Sequence, residues 1–419
     1  MPFDKPIDRP DASALDAPAP DAPAIARVTE ARRLLIISSI VAVNMLSLAA
    51  TDLYLPSIPE LPRILGASVE SVQFTLVTFS LGFAFAQILI GALGDVFSRR
   101  AVLVTSMLLF IPATVACALA PGVEMLITAR LVQGASAAAG AALTAPLIRD
   151  LFSEERAVQA MSVIGGIDAV IPAFAPIVGA WVFTQFGWEA NFWLVALLAL
   201  PATVVAFIAM PSERQSAHVD IVGALTGYSV LLKSPAYLGY ALSHAIAIAG
   251  LLTLVFSLPV LLDTYMEGGP REFILTQILW VGSFLGFTWI TGIVSRRIGV
   301  DPMIRLGSLL QIGSSFAVLA YVLLAGTPLW WMVALLATPV CIGFGLRAGA
   351  GFAQAMRLFP SHAARASSFI LFVSMLAAAA GTGAVAPFLE WGLWSAPVAM
   401  TVSGLAGHAL LRLTRHGQH

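Results

Sequence analysis

Twelve apolar runs, most of them about twenty residues or longer, follow one another along this chain with short polar breaks between them. Roughly twenty apolar residues in helical form cross the hydrocarbon core of a bilayer. The runs lie near 33–56, 70–94, 101–120, 123–148, 157–185, 189–210, 236–264, 272–294, 303–326, 328–356, 365–389 and 392–412. Some neighbours are separated only by punctuation, as at Pro121-Gly122 and Thr327-Pro328. Backbone polar groups in lipid must be satisfied within their own segment, so such runs fold as helices. An all-α integral membrane bundle is therefore predicted. The soluble alternative fails on composition: charged residues make up 11% of the chain, against about 25% in soluble domains.

Charge sets the expected orientation. Lys and Arg concentrate in loops on the cytoplasmic side of a membrane. With the N-terminus inside, 18 of the 22 basic residues fall in cytoplasmic segments. Only Arg63 and Arg271 fall outside, and Arg130 and Arg347 fall within spans. The net charge of -1 offers no basic face for nucleic acid. Cys117 and Cys341 are far apart in apolar runs, without the spacing of a metal or redox motif. No P-loop is present, so ATP is not expected to drive the protein directly.

The longest internal polar stretch, Pro211 to Ser234, divides the spans six and six. The predicted organisation is a disordered cytoplasmic tail over 1–32, a six-helix half over 33–210, and a cytoplasmic linker over 211–235. A second half follows over 236–412, and a short tail over 413–419. The first tail is rich in Ala, Asp and Pro and lacks the apolar run of a signal peptide.

Several segments carry a resemblance to a known family. The loop after span two reads Gly91-Ala92-Leu93-Gly94-Asp95-Val96-Phe97-Ser98-Arg99-Arg100. It resembles the G-x-L-x-D-R-x-G-R-R/K motif of the major facilitator superfamily, departing at Val96 and Ser98. Arg130-Leu131-Val132-Gln133-Gly134 in span four is similar to that family's R-x-x-Q-G. Span one ends in Thr51-Asp52-Leu53-Tyr54-Leu55-Pro56, which resembles the T/S-D-x-Y-L-P signature of the Bcr/CflA-type drug resistance transporters. Arg149-Asp150-Leu151-Phe152 resembles the R-D-L-F of the same group. Span five resembles the antiporter motif, with Pro176 and Gly179 matching, Pro172 in the subfamily's position, Ala175 and Ala180 in place of glycine, and a departure at Ile171.

The resemblance implies two pseudo-symmetric six-helix halves and secondary active transport. It implies a cytoplasmic gate at Gly91, Asp95, Arg99 and Arg100, and an antiporter-type helix bend at Pro172, Pro176 and Gly179. It also implies export of small amphipathic compounds by proton antiport across a bacterial inner membrane, with no cofactor beyond the proton and a monomeric state. A charged residue within a span is expensive and marks either a partner or a wet cavity. On that ground Asp52, Arg130 and Asp168 are candidates for proton coupling, with Arg130 and Asp168 a candidate pair from neighbouring spans. A structural arginine held by backbone carbonyls is the competing reading of Arg130, and an interfacial acid that of Asp52. Asn44, Tyr54, Gln133, His244 and Arg347 are candidates for the substrate cavity. Arg347 would attract an anion, or else bind carbonyls. An exporter of a specific metabolite such as a siderophore, sugar or organic anion is the second functional reading. A membrane-embedded receptor or enzyme is the third.

Overall fold

The computed structural model describes residues 29–152, 154–210, 228–359 and 363–414. Most of the expected tail and linker therefore lies outside the described residues. So do some side chains within helices, that of Asp95 among them. Among the described residues there are twelve long helices: α1 (Glu30–Asp52), α2 (Val69–Val96), α3 (Arg99–Ala118), α4 (Val123–Leu151), α5 (Glu154–Phe186), α6 (Glu189–Ala209), α7 (Pro235–Tyr265), α8 (Pro270–Ile298), α9 (Val300–Leu324), α10 (Trp330–Arg357), α11 (Ala363–Val385) and α12 (Ser395–Leu410). Eleven are long and apolar enough to cross a membrane. The twelfth has 16 residues, about 24 Å of helix, and packs between α7 and α9.

Local chemistry sets the boundaries. Ser98, where the family motif has glycine, caps α3 by accepting the Ala101 N–H at 3.2 Å. Ser68 caps α2 and Ser234 caps α7 in the same way. Pro56 opens a short 3-10 helix (Leu55–Glu60) after α1, because proline has no N–H to continue the ladder. Gly299, at φ 87°, separates α8 from α9.

Each half has its own packing. In the first, α1 lies against α4, α5 and α6, while α4 also holds α2 and α3. In the second, α7 lies against α10, α11 and α12, while α10 also holds α8 and α9. Glycines bring the backbones together inside each half. A Cβ on Gly134 of α4 would overlap the Phe79 carbonyl of α2, and one on Gly307 of α9 would overlap the Gly343 carbonyl of α10. Small residues of this kind give membrane helices close van der Waals contact. The halves meet along α2 with α11 and α5 with α8.

The two ends of the bundle differ. At the end remote from the termini, one buried cluster runs across both halves, from Tyr54, Leu55, Ile58 and Leu76 to Leu258, Leu262, Phe273 and Leu389. The Gln73 amide also donates across the seam to the Phe256 carbonyl at 3.2 Å. At the end that carries the termini, the core splits into two clusters within the first half and another within the second. There α8 has no buried residue from 281 to 298. The molecule is sealed at the far end and unsealed toward the termini.

Candidate substrate cavity and its charged residues

A cavity of about 260 Å³ lies between the halves, lined by α1, α2 and α5 on one side and α7, α8, α10 and α11 on the other. Its walls are mostly apolar and aromatic: Phe79, Phe83, Phe256, Trp280, Phe284 and Phe344, with Leu48, Ile248, Leu251, Leu252, Val255 and Met375. Ser47, Thr51, Ser80 and Gln277 add uncharged polar groups. Asp52 is the one charged side chain among the described residues that line it. Its carboxylate has no hydrogen-bond or ion-pair partner among the described residues. The last turn of α1 thus delivers a free acid to an apolar chamber.

The other candidates take different places. Arg130, fully buried, does not pair with Asp168 as anticipated. Its Nη1 donates to the Ala50 carbonyl at 3.0 Å and to Gln133 Oε1 at 2.7 Å, and its Nη2 to Thr51 Oγ1 at 3.3 Å. The guanidinium stacks over Phe79 at 4.2 Å and lies 5.2 Å from the Tyr54 ring. This is the arginine held by carbonyls. Arginine suits such a cage because its planar fork aims several donors at once. Tyr54 and Gln133, anticipated in the cavity, instead belong to the cage: Tyr54 bonds Thr75 at 3.0 Å and Gln133 donates to Thr114 at 2.9 Å. Thr51 and Phe79 are shared, each touching Arg130 and lining the cavity.

Asp168, on α5, accepts a hydrogen bond from Asn44 Nδ2 of α1 at 2.6 Å, while its Oδ1 is buried without a partner among the described residues. Asn44 is therefore a positioning partner of an acid rather than part of the cavity wall. Asn44, Ser47 and Thr51 follow at helical spacing, with Asp52 next in the chain, so α1 carries a polar stripe from the partner of one acid to the neighbour of the other. The Asn44→Leu protein is expected to lose about 1–3 kcal/mol of stability, because the buried carboxylate would lose its donor. A thermal melt in detergent checks this, and the double change with Asp168→Leu should recover most of the loss.

Arg347 is buried inside the second half and does not line the cavity. Nη1 donates to Gln311 Oε1 at 2.9 Å, and Nη2 to the Ser243 carbonyl at 3.0 Å and to the Ser243 hydroxyl. His244 lies one turn of α7 below the cavity residue Ile248, against the rings of Phe344 and Phe352 at 5.8 Å. It sits beside the cavity on the unsealed side. Pro172 lines the cavity and Pro176 follows inside α5. A Cβ on Gly179 would overlap the Leu53 carbonyl, so this glycine seats α5 on the end of α1. In the loop motif, Gly91 faces Ser368 of α11, with 3.9 Å left for a Cβ, and Arg100 stacks on Phe207 at 4.2 Å. Arg99 has partners within the structure.

Gln277, Trp280 and Phe284 on α8 were missed by the sequence reading. Uncharged residues on an apolar helix give no signal of which face meets the other half.

The sequence model described as Major Facilitator Superfamily matches residues 40–382. The chain belongs to that superfamily. Its similarity to curated relatives falls in the drug resistance group that span one resembles. A bicyclomycin resistance protein homolog of Haemophilus influenzae is 28% identical over 64% of this chain and 68% of its own length. The multidrug resistance protein MdtL of Shigella flexneri serotype 5b is 25% identical over 76% of this chain and 80% of its own. The crystal structure of the nucleoside transporter NupG covers 92% of this chain at a TM-score of 0.64 and 12% identity, a likeness of fold. The chain is a multi-pass membrane transporter of the facilitator fold.

Proposed function

We propose that this transporter exports small amphipathic cations in exchange for protons, by alternating access, across a bacterial inner membrane with both termini in the cytoplasm. The observation that carries this reading is Asp52, without a partner among the described residues, as the one charged side chain of a mostly apolar and aromatic cavity between the halves. Such a wall takes up flat lipophilic bodies without demanding one shape. A carboxylate among them favours a positive charge, and the same group can hold a proton when the cation has left. Competition for one acid is the simplest form of antiport. The relatives named for drug resistance support the substrate class. Under this orientation the unsealed end faces the cytoplasm, as a state ready to load substrate would.

One-for-one exchange of a monovalent cation for a proton moves no net charge, so the pH difference alone drives it, and each unit of that difference, about 1.4 kcal/mol, sustains roughly a tenfold concentration ratio. Asp168, hydrogen-bonded to Asn44 along the same stripe of α1, is the second acid of this scheme. The anion reading rested on Arg130 and Arg347. Neither lines the cavity, so the cation reading is preferred.

Everted vesicles containing the protein, acidified inside, should lose their pH gradient when a lipophilic monovalent cation is added. A gradient that persists while the cation binds would remove proton antiport from the scheme. A gradient discharged by carboxylates instead would return the metabolite reading.

A further inference from the structure

A second pocket, of about 220 Å³, lies within the second half at the end that carries the termini. It is bounded by the last turns of α8 and α10 and the first turn of α9, away from the seam cavity. Glycines make room for it: Gly292 and Gly349 line it, and a Cβ on Gly349 would meet nothing within 4 Å. Its polar wall consists of hydroxyls and a carboxamide, from Thr288, Thr291, Ser295 and Gln354.

Two guanidinium groups stand at this pocket, one in its wall and one beside it. Arg357 lines the pocket and has no hydrogen-bond or ion-pair partner among the described residues. Arg296 folds back over Gly292, its Nη1 4.0 Å from where a Cβ would stand. Val300 brings the start of α9 to the wall, and no side chain caps that helix. The free N–H groups of a helix start attract anions. The acid of that turn, Asp301, accepts the Tyr240 hydroxyl of α7 at 2.7 Å and does not line the pocket.

From this juxtaposition we infer that the α8–α9–α10 pocket binds a phosphate group, carried by a phospholipid headgroup of the adjoining leaflet or by free phosphate. Guanidinium groups suit phosphate because their donors meet two oxygens at once. The Thr288, Thr291 and Ser295 hydroxyls donate to carbonyls of α8, so the further donor at this wall is the Gln354 carboxamide. The site is separate from the export cavity, and its test does not depend on the exported compound.

Delipidated full-length protein is titrated with phosphatidylglycerol, followed by native mass spectrometry, and separately with inorganic phosphate, followed by calorimetry. Two single variants are compared with the native chain. Arg357→Gln removes the unpaired cation, and Gly349→Leu fills the pocket from a position where added carbon meets no neighbour. Arg357→Gln is expected to weaken binding roughly tenfold, the worth of one charge-assisted contact, and Gly349→Leu to weaken it at least as much by occlusion, while thermal midpoints and cavity binding of a lipophilic cation stay unchanged. Variant-sensitive lipid binding that inorganic phosphate does not displace assigns the site to the membrane. Variant-sensitive binding of inorganic phosphate assigns it to a soluble ligand. Lipid and phosphate binding that are both indifferent to both variants would overturn the proposal.

Discussion

Asp52→Asn is expected to abolish substrate-driven proton release and to weaken cation binding on the order of tenfold to a hundredfold. The amide has the shape of the acid, so the cavity keeps its volume. It carries no charge and takes up no proton. Two opposite charges 4 Å apart at the effective dielectric of a partly buried site attract by about 4 kcal/mol, part of which is spent on desolvation. The retained part corresponds to the predicted loss. Binding of a lipophilic cation to purified protein, and pH-gradient discharge in everted vesicles, measure the two effects separately. An uncharged aromatic ligand of similar size should bind both proteins equally, since it relies on the same rings. Normal proton exchange by the Asp52→Asn protein would exclude Asp52 as the coupling acid.

The second large effect is on stability. Arg130→Met should destabilise the first half by on the order of 3–5 kcal/mol. The change leaves the Ala50 carbonyl and Gln133 Oε1 without their charged donor, and buried acceptors stripped of charge-assisted bonds are costly. The stacking on Phe79 is lost as well. Arg130→Lys should recover only a part, because an ammonium cannot reach the Ala50 carbonyl, Gln133 and Thr51 from one plane. Thermal unfolding in detergent checks both variants, and a midpoint equal to the native one would disprove the cage as a structural support. Asp52→Asn should leave that midpoint in place, so the two predictions separate chemistry from scaffold.

How much of this was open to sequence reading depends on which coordinate is asked for. Position along the helix axis was legible. The helices begin and end within a few residues of the apolar runs, as in α2 (Val69–Val96) against 70–94 and α5 (Glu154–Phe186) against 157–185. Lipid imposes length, and length is written in hydropathy. Azimuth was not legible. Arg130, Gln133, Tyr54 and Arg347 all lie inside spans, yet the first three share one cage and the fourth is tied to Ser243 and Gln311. In a helix buried on most sides, hydrophobicity gives no single face away. Asp52 differs because the chain turns at Pro56, which places the acid in the last turn of α1, at the cavity wall. Gln277 and Trp280 were hidden for the same reason that Arg347 misled. A carboxamide at the cavity and one inside a half read alike.

The glycine contacts have a mechanical consequence. Inside each half, Gly134 and Gly307 leave no room for a methyl group, so neighbouring helices are keyed together like gear teeth. Across the seam, Gly91 and Gly383 leave ordinary clearance, 3.9 Å to Ser368 and 3.6 Å to Val77. Under the alternating access proposed above, the halves act as a pair of stiff jaws on a slack hinge. Motion should be spent in the hinge and hardly at all in bending the jaws. A compound lodged between α2 and α11 would jam the machine without ever entering the chamber it serves.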